Sequence, residues 1–168
     1  MASSIDSIMD NSERLVLADS FPFRSGDWTM MYAVDKITDE KSAQALMIVE
    51  GSQAKYQVTL SCRKSGLEFL VAAFEKNSDQ GKIIPWEIFS ARQVRVRSDS
   101  NRAFDAVLQM HGYGNFGQIG AATFTSQFKD ILNSGRMVIG DIFPDEQLEI
   151  ATRLPEKFRR ICILLYNH

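Results

Sequence analysis

The segment YQVTLSC, residues 56–62, alternates Tyr56, Val58, Leu60 and Cys62 with Gln57, Thr59 and Ser61. A repeat of two is that of a β-strand with one buried face, so the first set points into a core and the second away from it. RKSG follows, with Gly66 placed for a positive φ, and LEFLVAAFE returns as a mostly apolar run. Strand, tight polar turn and strand together predict a hairpin.

The same pattern recurs along the chain. DWTMMYAV, AQALMIV, IPWEIF, RQVRVRS, AFDAVLQM and RMVIGDIF read as strands bounded by polar turns, and PDEQLEIA as a turn followed by a short strand. Two segments have the helical period instead. In TFTSQFKDILNSG, Phe124, Phe128, Ile131 and Leu132 share one face, with Gly135 placed to end the helix. In the last segment, opened by Pro155, Leu154, Phe158, Ile161, Cys162 and Leu165 form an apolar stripe. Many strands followed by two late helices predict a mainly β, β-rich α+β domain. Its expected form is an antiparallel β-sandwich or partly open barrel, with both helices in the C-terminal half. Residues 1–12 are expected to be a flexible lead and 13–168 a single domain.

With 168 residues, 45% of them hydrophobic, the chain can build one full core. Its 19 basic and 21 acidic residues give a net charge of -2, so no overall field recruits nucleic acid or an anionic membrane. No apolar run reaches the roughly 20 residues that span a bilayer. The N-terminal stretch lacks the cationic start and apolar run of a secretory leader. The chain as given is therefore expected in the cytoplasm, or in the periplasm if a leader has been removed.

Cys62 and Cys162 are the only cysteines. Both fall on predicted buried faces, which argues against a reactive thiolate. Two packed thiols are the expected state. A disulfide is the alternative, requiring Cα atoms within about 7 Å and an oxidising compartment.

GYGNFG, residues 112–117, matches the dinucleotide-binding pattern G-x-G-x-x-G, and Asp141 lies downstream as an acid. The acid is further away than the roughly 20 residues the motif requires, and the preceding segments read as hairpins, so a tight connection and no cofactor are expected. His111 and His168, the only histidines, belong to no metal-binding spacing, and no nucleophile-elbow sequence occurs. Neither a metal site nor a catalytic set is expected. The cations of the last helix, Arg153, Lys157, Arg159 and Arg160, lie off its apolar stripe, so the helix is expected to dock on the sheet rather than on a membrane.

In RQVRVR, Val94 and Val96 point inward and Arg92, Arg95 and Arg97 are expected on the other side or at the strand ends. With Arg63, Lys64, Arg102, Trp86 and the aromatic loop containing Tyr113 and Phe116, they could form a stacking surface for a nucleic-acid strand. Asp99 and Asp105 break that patch. Arginine and aromatic residues are enriched at protein interfaces, so Arg92, Arg95, Arg97, Tyr113 and Phe116 are the candidate surface for a protein partner.

The order of several pieces resembles a bacterial envelope family. Trp28 opens a strand, ITDEKSA is a polar turn, and VTLSCRKSGLEFLVA is a strand, cysteine, charged turn and strand. VRVRSD ends a strand, FKDILNSGRMVIGDI leads from helix to strand, and FRRICILL is a terminal helix with a cysteine. In this order, over about residues 27–165, the chain resembles the VasI-like accessory proteins of type VI secretion and, more distantly, the invasion-associated locus B proteins. That resemblance implies a β-sandwich with accessory or adaptor duties and no catalytic set. The expected function is thus a non-enzymatic, macromolecule-binding accessory of a bacterial secretion or envelope system, acting through a sheet face or edge. Rivals are a small phage-type inhibitor of a host protein and, further off, a dinucleotide-binding enzyme.

Overall fold

The structure, a computed structural model, describes residues 23–34, 36–52, 54–75, 91–112, 118–143 and 146–166. Among the described residues ten strands form one antiparallel sheet: β1 (Phe23–Ser25), β2 (Trp28–Val34), β3 (Lys41–Glu50), β4 (Ala54–Arg63), β5 (Gly66–Glu75), β6 (Ala91–Ser98), β7 (Phe104–Gly112), β8 (Gln118–Phe124), β9 (Met137–Phe143) and β10 (Glu146–Ile150). Among the described residues there are two helices, α1 (Phe128–Leu132) between β8 and β9 and α2 (Glu156–Tyr166) after β10. The order across the sheet is β1-β2-β3-β4-β5-β8-β7-β6-β9-β10. The sheet curls into a half-barrel. The strands thus belong to one continuous sheet, where a sandwich would need two facing ones.

Alternation decides which face is concave. Ala43, Ala45 and Met47 of β3, Tyr56, Val58, Leu60 and Cys62 of β4, and Leu67, Phe69, Val71 and Ala73 of β5 are all buried. Val94 and Val96 of β6, Phe124 of β8, Met137 and Ile139 of β9, and Leu148 and Ile150 of β10 are buried on the same face. The β4–β5 hairpin pairs Arg63 with Gly66 across a two-residue turn, Lys64 and Ser65. Gly66 has φ +135°, and a Cβ there would stand 2.6 Å from the Phe124 carbonyl, so no other residue fits.

Helix α2 packs on β3 and β4, burying Phe158, Ile161, Cys162 and Leu165. The small side chains of Ala43 and Ala45 leave room for it beside the large ones of β4, since Ala43 is paired directly with Cys62. In place of two packed thiols, Cys62 and Cys162 are joined as a disulfide with Cα atoms 5.2 Å apart. The Phe128 and Tyr166 rings stack with centroids 4.6 Å apart, which brings α1 against the end of α2.

The helix expected over TFTSQFKDILNSG is much shorter. Residues up to Phe124 belong to β8, where Phe124 is an inner-face strand residue against Phe69 and Phe104. Only Phe128–Leu132 is helical, capped at Asn133, and Gly135 is not in a left-handed conformation. The pairing of β8 with β5 and β7 overrode the local helical period. Strand β1 was not expected from the sequence, while IPWEIF lies outside the described residues.

The two ends of the curled sheet are drawn together by side chains. The Trp28 indole of β2 donates to the Ala151 carbonyl just after β10 at 3.0 Å. At the other end of β10, the Ser52 hydroxyl donates to the Glu146 carboxylate. Elsewhere the Asp99 carboxylate accepts from the Gly135 and Arg136 amides at 3.0 and 3.1 Å, tying the end of β6 to the start of β9.

Candidate functional site

Strand β6 carries the arginines singled out by sequence, but it does not put all three on one face. Val94, Val96 and Ser98 are buried and Gln93, Arg95 and Arg97 exposed. Arg92 has the parity of the valines, so it lies half-buried at the open end of the inner side rather than beside Arg95 and Arg97. Its Nε donates to the Asp141 carbonyl at 2.7 Å. The expected trio is therefore a pair on the convex face and a third arginine at the rim.

The convex pair has a defined setting. Arg95 is matched in register with Gly140 of β9, which is matched with Gln147 of β10. Arg97 is matched with Val138, and Val138 with Glu149. A shallow groove of about 300 Å³ lies here, lined by Arg95 and Arg97 of β6, Val138, Gly140 and Asp141 of β9, and Gln147 of β10. Arg95 pairs with Asp105 of β7 at 3.3 Å, both side chains more than half exposed. Arg97 donates to the Asn101 and Ser100 carbonyls at 3.0 and 3.5 Å. In the row next to Arg95 and Asp105, Val107 of β7 is exposed opposite Gln93.

The rim holds a second constellation, which the site reading of the sequence missed. Asp141 has φ +64°, and Ile142 rather than Asp141 takes the next buried position after Ile139, so β9 bulges there. The register shows the same break, Gln147 pairing with Gly140 while Glu146 pairs with Phe143. Glu146 is left on the inner side of β10, 3% exposed, in line with Leu148 and Ile150. Ser52 binds it, and a Cβ at Gly51 would collide with it and stand 2.6 Å from the Tyr56 ring.

The Tyr56 hydroxyl is buried and makes no hydrogen bond of ordinary geometry, with the Glu146 carboxylate within its electrostatic reach. Burial pushes its pKa well above the ordinary 10.0, the Glu146 charge adds to the rise, and Arg92 opposes it. A cavity of about 570 Å³ opens beside this rim, lined by Glu50, Asp141, Glu146 and Glu149 among others, and shares Asp141 and Gln147 with the β6–β9–β10 groove. Among the described residues no set of three or more His, Cys, Asp or Glu is placed to hold a metal ion.

Alternation in EQLEI was the available signal for Glu146, since Leu148 and Ile150 set its face. Ser52 and Tyr56 are brought to it by the β3–β4 turn, which no short-range pattern links to β10. Tyr113 and Phe116 lie outside the described residues. Strands β7 and β8, which flank GYGNFG, pair antiparallel, so the parallel strand-loop-helix setting of a dinucleotide site is not formed there. No family model, curated protein or solved structure matches this chain.

Proposed function

We propose that this chain is a non-enzymatic recognition domain that binds a protein partner through the convex face of β6, β7 and β9, with Arg95 and Arg97 as its charged anchors. The observation that carries the reading is their joint exposure beside Val107 and above a shallow groove. Arginine next to exposed apolar surface is the composition of interface hot spots, where a planar cation stacks and pairs at once. Their present contacts are exposed and therefore cheap to exchange. The partner class is protein, with no nucleic acid and no cofactor in the mechanism.

We place this domain among accessories of a bacterial secretion or envelope system, as the families it resembles imply. The Cys62–Cys162 bond supports that setting, because disulfides persist in oxidising compartments. A cytosolic inhibitor of a host protein would work where such a bond is kept reduced.

The test is the double reversal Arg95→Glu/Arg97→Glu, immobilised beside the unaltered domain in extract of the source cells, with bound proteins quantified. A specific set of proteins should be lost from the variant while its melting temperature stays unchanged. Identical recovery on both supports, with both folded, would end the proposal for this face.

A further inference from the structure

The groove over β6, β9 and β10 is charged with opposite signs on its two banks. One bank is Arg95 and Arg97 of β6. The other side of the groove is lined by Asp141 and Gln147, and the cavity that shares these two residues adds the exposed carboxylates of Glu50 and of Glu149, the latter matched through Val138 with Arg97. Between them the floor is Val138 and Gly140 of β9, residues small enough to leave a channel two strand spacings wide, about 10 Å. The nearest atoms to a Cβ at Gly140 would be 4.0 Å away, so that part of the floor is open.

Among the described residues, Arg95 and Glu149 are engaged with exposed partners. Arg95 faces Asp105, and Glu149 faces Arg136 at 3.3 Å, with every one of these side chains more than half exposed. Exposed pairs contribute little, and a ligand with the right charges can replace them at small cost.

We infer that the groove takes an extended segment of a partner protein whose side chains alternate in charge, acidic residues reaching the β6 arginines and basic residues reaching the β10 side. An extended chain lying flat on the floor sends successive side chains to opposite sides, which is the alternation the two banks require. Gly140 lets its backbone come close to the sheet. The inference rests on the proposed protein-binding role of Arg95 and Arg97 and adds the chemistry of the partner. It is a different statement from the presence of a partner, and its failure is separable from the failure of that role.

The probe is a synthetic octapeptide of alternating Glu and Lys, compared with Glu–Ser and Lys–Ser octapeptides. Affinity is measured by titration calorimetry, and the site is located by amide shifts at Val138, Gly140 and Gln147. The Glu–Lys peptide should bind at least about tenfold more tightly than either control and weaken as salt is raised. Arg95→Glu/Arg97→Glu makes both banks acidic, so preference should switch to the Lys–Ser peptide. Gly140→Leu fills an open part of the floor without altering charge, and should weaken the Glu–Lys peptide by about tenfold or more with the fold intact. Equal binding of the three peptides, or a Glu–Lys affinity unchanged within about twofold in both variants, would overturn the inference. If the peptides fail while Arg95→Glu/Arg97→Glu still abolishes capture of the native partner, the recognition role stands and this account of its chemistry is wrong.

Discussion

Replacing both cysteines in Cys62→Ala/Cys162→Ala should destabilise the domain by several kcal/mol, most of it through the unfolded chain. The bond closes a loop with a sequence separation of 100. Chain-entropy arguments give about 4.7 kcal/mol for a loop of that length, before any change in packing. Domains of this kind have roughly 5–15 kcal/mol in all, so the loss is a third of the total or more. At about 2–4 °C per kcal/mol for a chain of this size, the melting temperature should fall by roughly 10–20 °C. Both sulfurs are fully buried, so the missing atoms add a cavity cost of the same sign.

Urea unfolding of oxidised protein and double variant distinguishes the mechanism from simple loss of packing. A cross-linked unfolded state stays more compact and exposes less surface, so the variant should show a larger m-value as well as a lower midpoint. Protein purified without reductant should gain the mass of two hydrogens on reduction. A melting shift of only about 2 °C, with unchanged m and no mass change, would refute both the bridge and the entropy argument.

Four further outcomes are expected. Stability should fall as pH rises above 10.0, because the unfolded tyrosine releases its proton there while folded Tyr56 retains it. This contribution is complete below pH 10.0 and declines by up to about 1.4 kcal/mol per pH unit above it, and the alkaline loss should be smaller in Tyr56→Phe when both are melted across pH 9–12. Ser52→Ala removes a donor from the buried Glu146 carboxylate and should cost about 1–3 kcal/mol in urea titration. Gly51→Ala drives a methyl into the Tyr56 ring and the Ala54 carbonyl, with a cost of about 1–3 kcal/mol by the same measurement. Phe158→Ala empties the contact of α2 with the inner face and should cost about 3–5 kcal/mol.

Where the sequence could be read and where it could not follows from the range of the forces involved. The β4–β5 hairpin was legible because its alternation, its polar turn and Gly66 are all local and agree. Strand β8 was not, because Phe124, Phe128, Ile131 and Leu132 obey a helical period while the first of them is held in a ladder with β5, far away in sequence. The cysteine pair was visible as two inward residues. Their union depended on where α2 lies across the sheet, which the small residues Ala43 and Ala45 help to decide. For Arg92 the strand parity was available in the sequence itself: it shares the even register of Val94 and Val96, and grouping it with Arg95 and Arg97 set composition above period. The rim of Ser52, Tyr56 and Glu146 required the curl of the whole sheet, and alternation marked Tyr56 and Glu146 as inward without linking them.

These placements divide the molecule's work between its two faces. The disulfide, the aromatic contacts of α2 and the Glu146 rim all act on the concave side or at its edge, where burial makes each change expensive. Arg95, Arg97, Val107 and Glu149 act on the convex side, where their contacts are exposed and their removal costs the fold little. A strand serves both faces at once through its repeat of two, so β6 can hold Val94 and Val96 fixed while its alternate positions vary. The bulge at Asp141 is a place where the two systems meet. It shifts the parity of β9 so that Ile142 is buried, presents a carbonyl to Arg92 at the rim, and borders the groove that Arg95 overlooks. Deleting Asp141 would leave Ile142 directly after Gly140, so alternation would keep it on the inner side, while the carbonyl that Arg92 uses at the rim and the residue that borders the groove would be lost together.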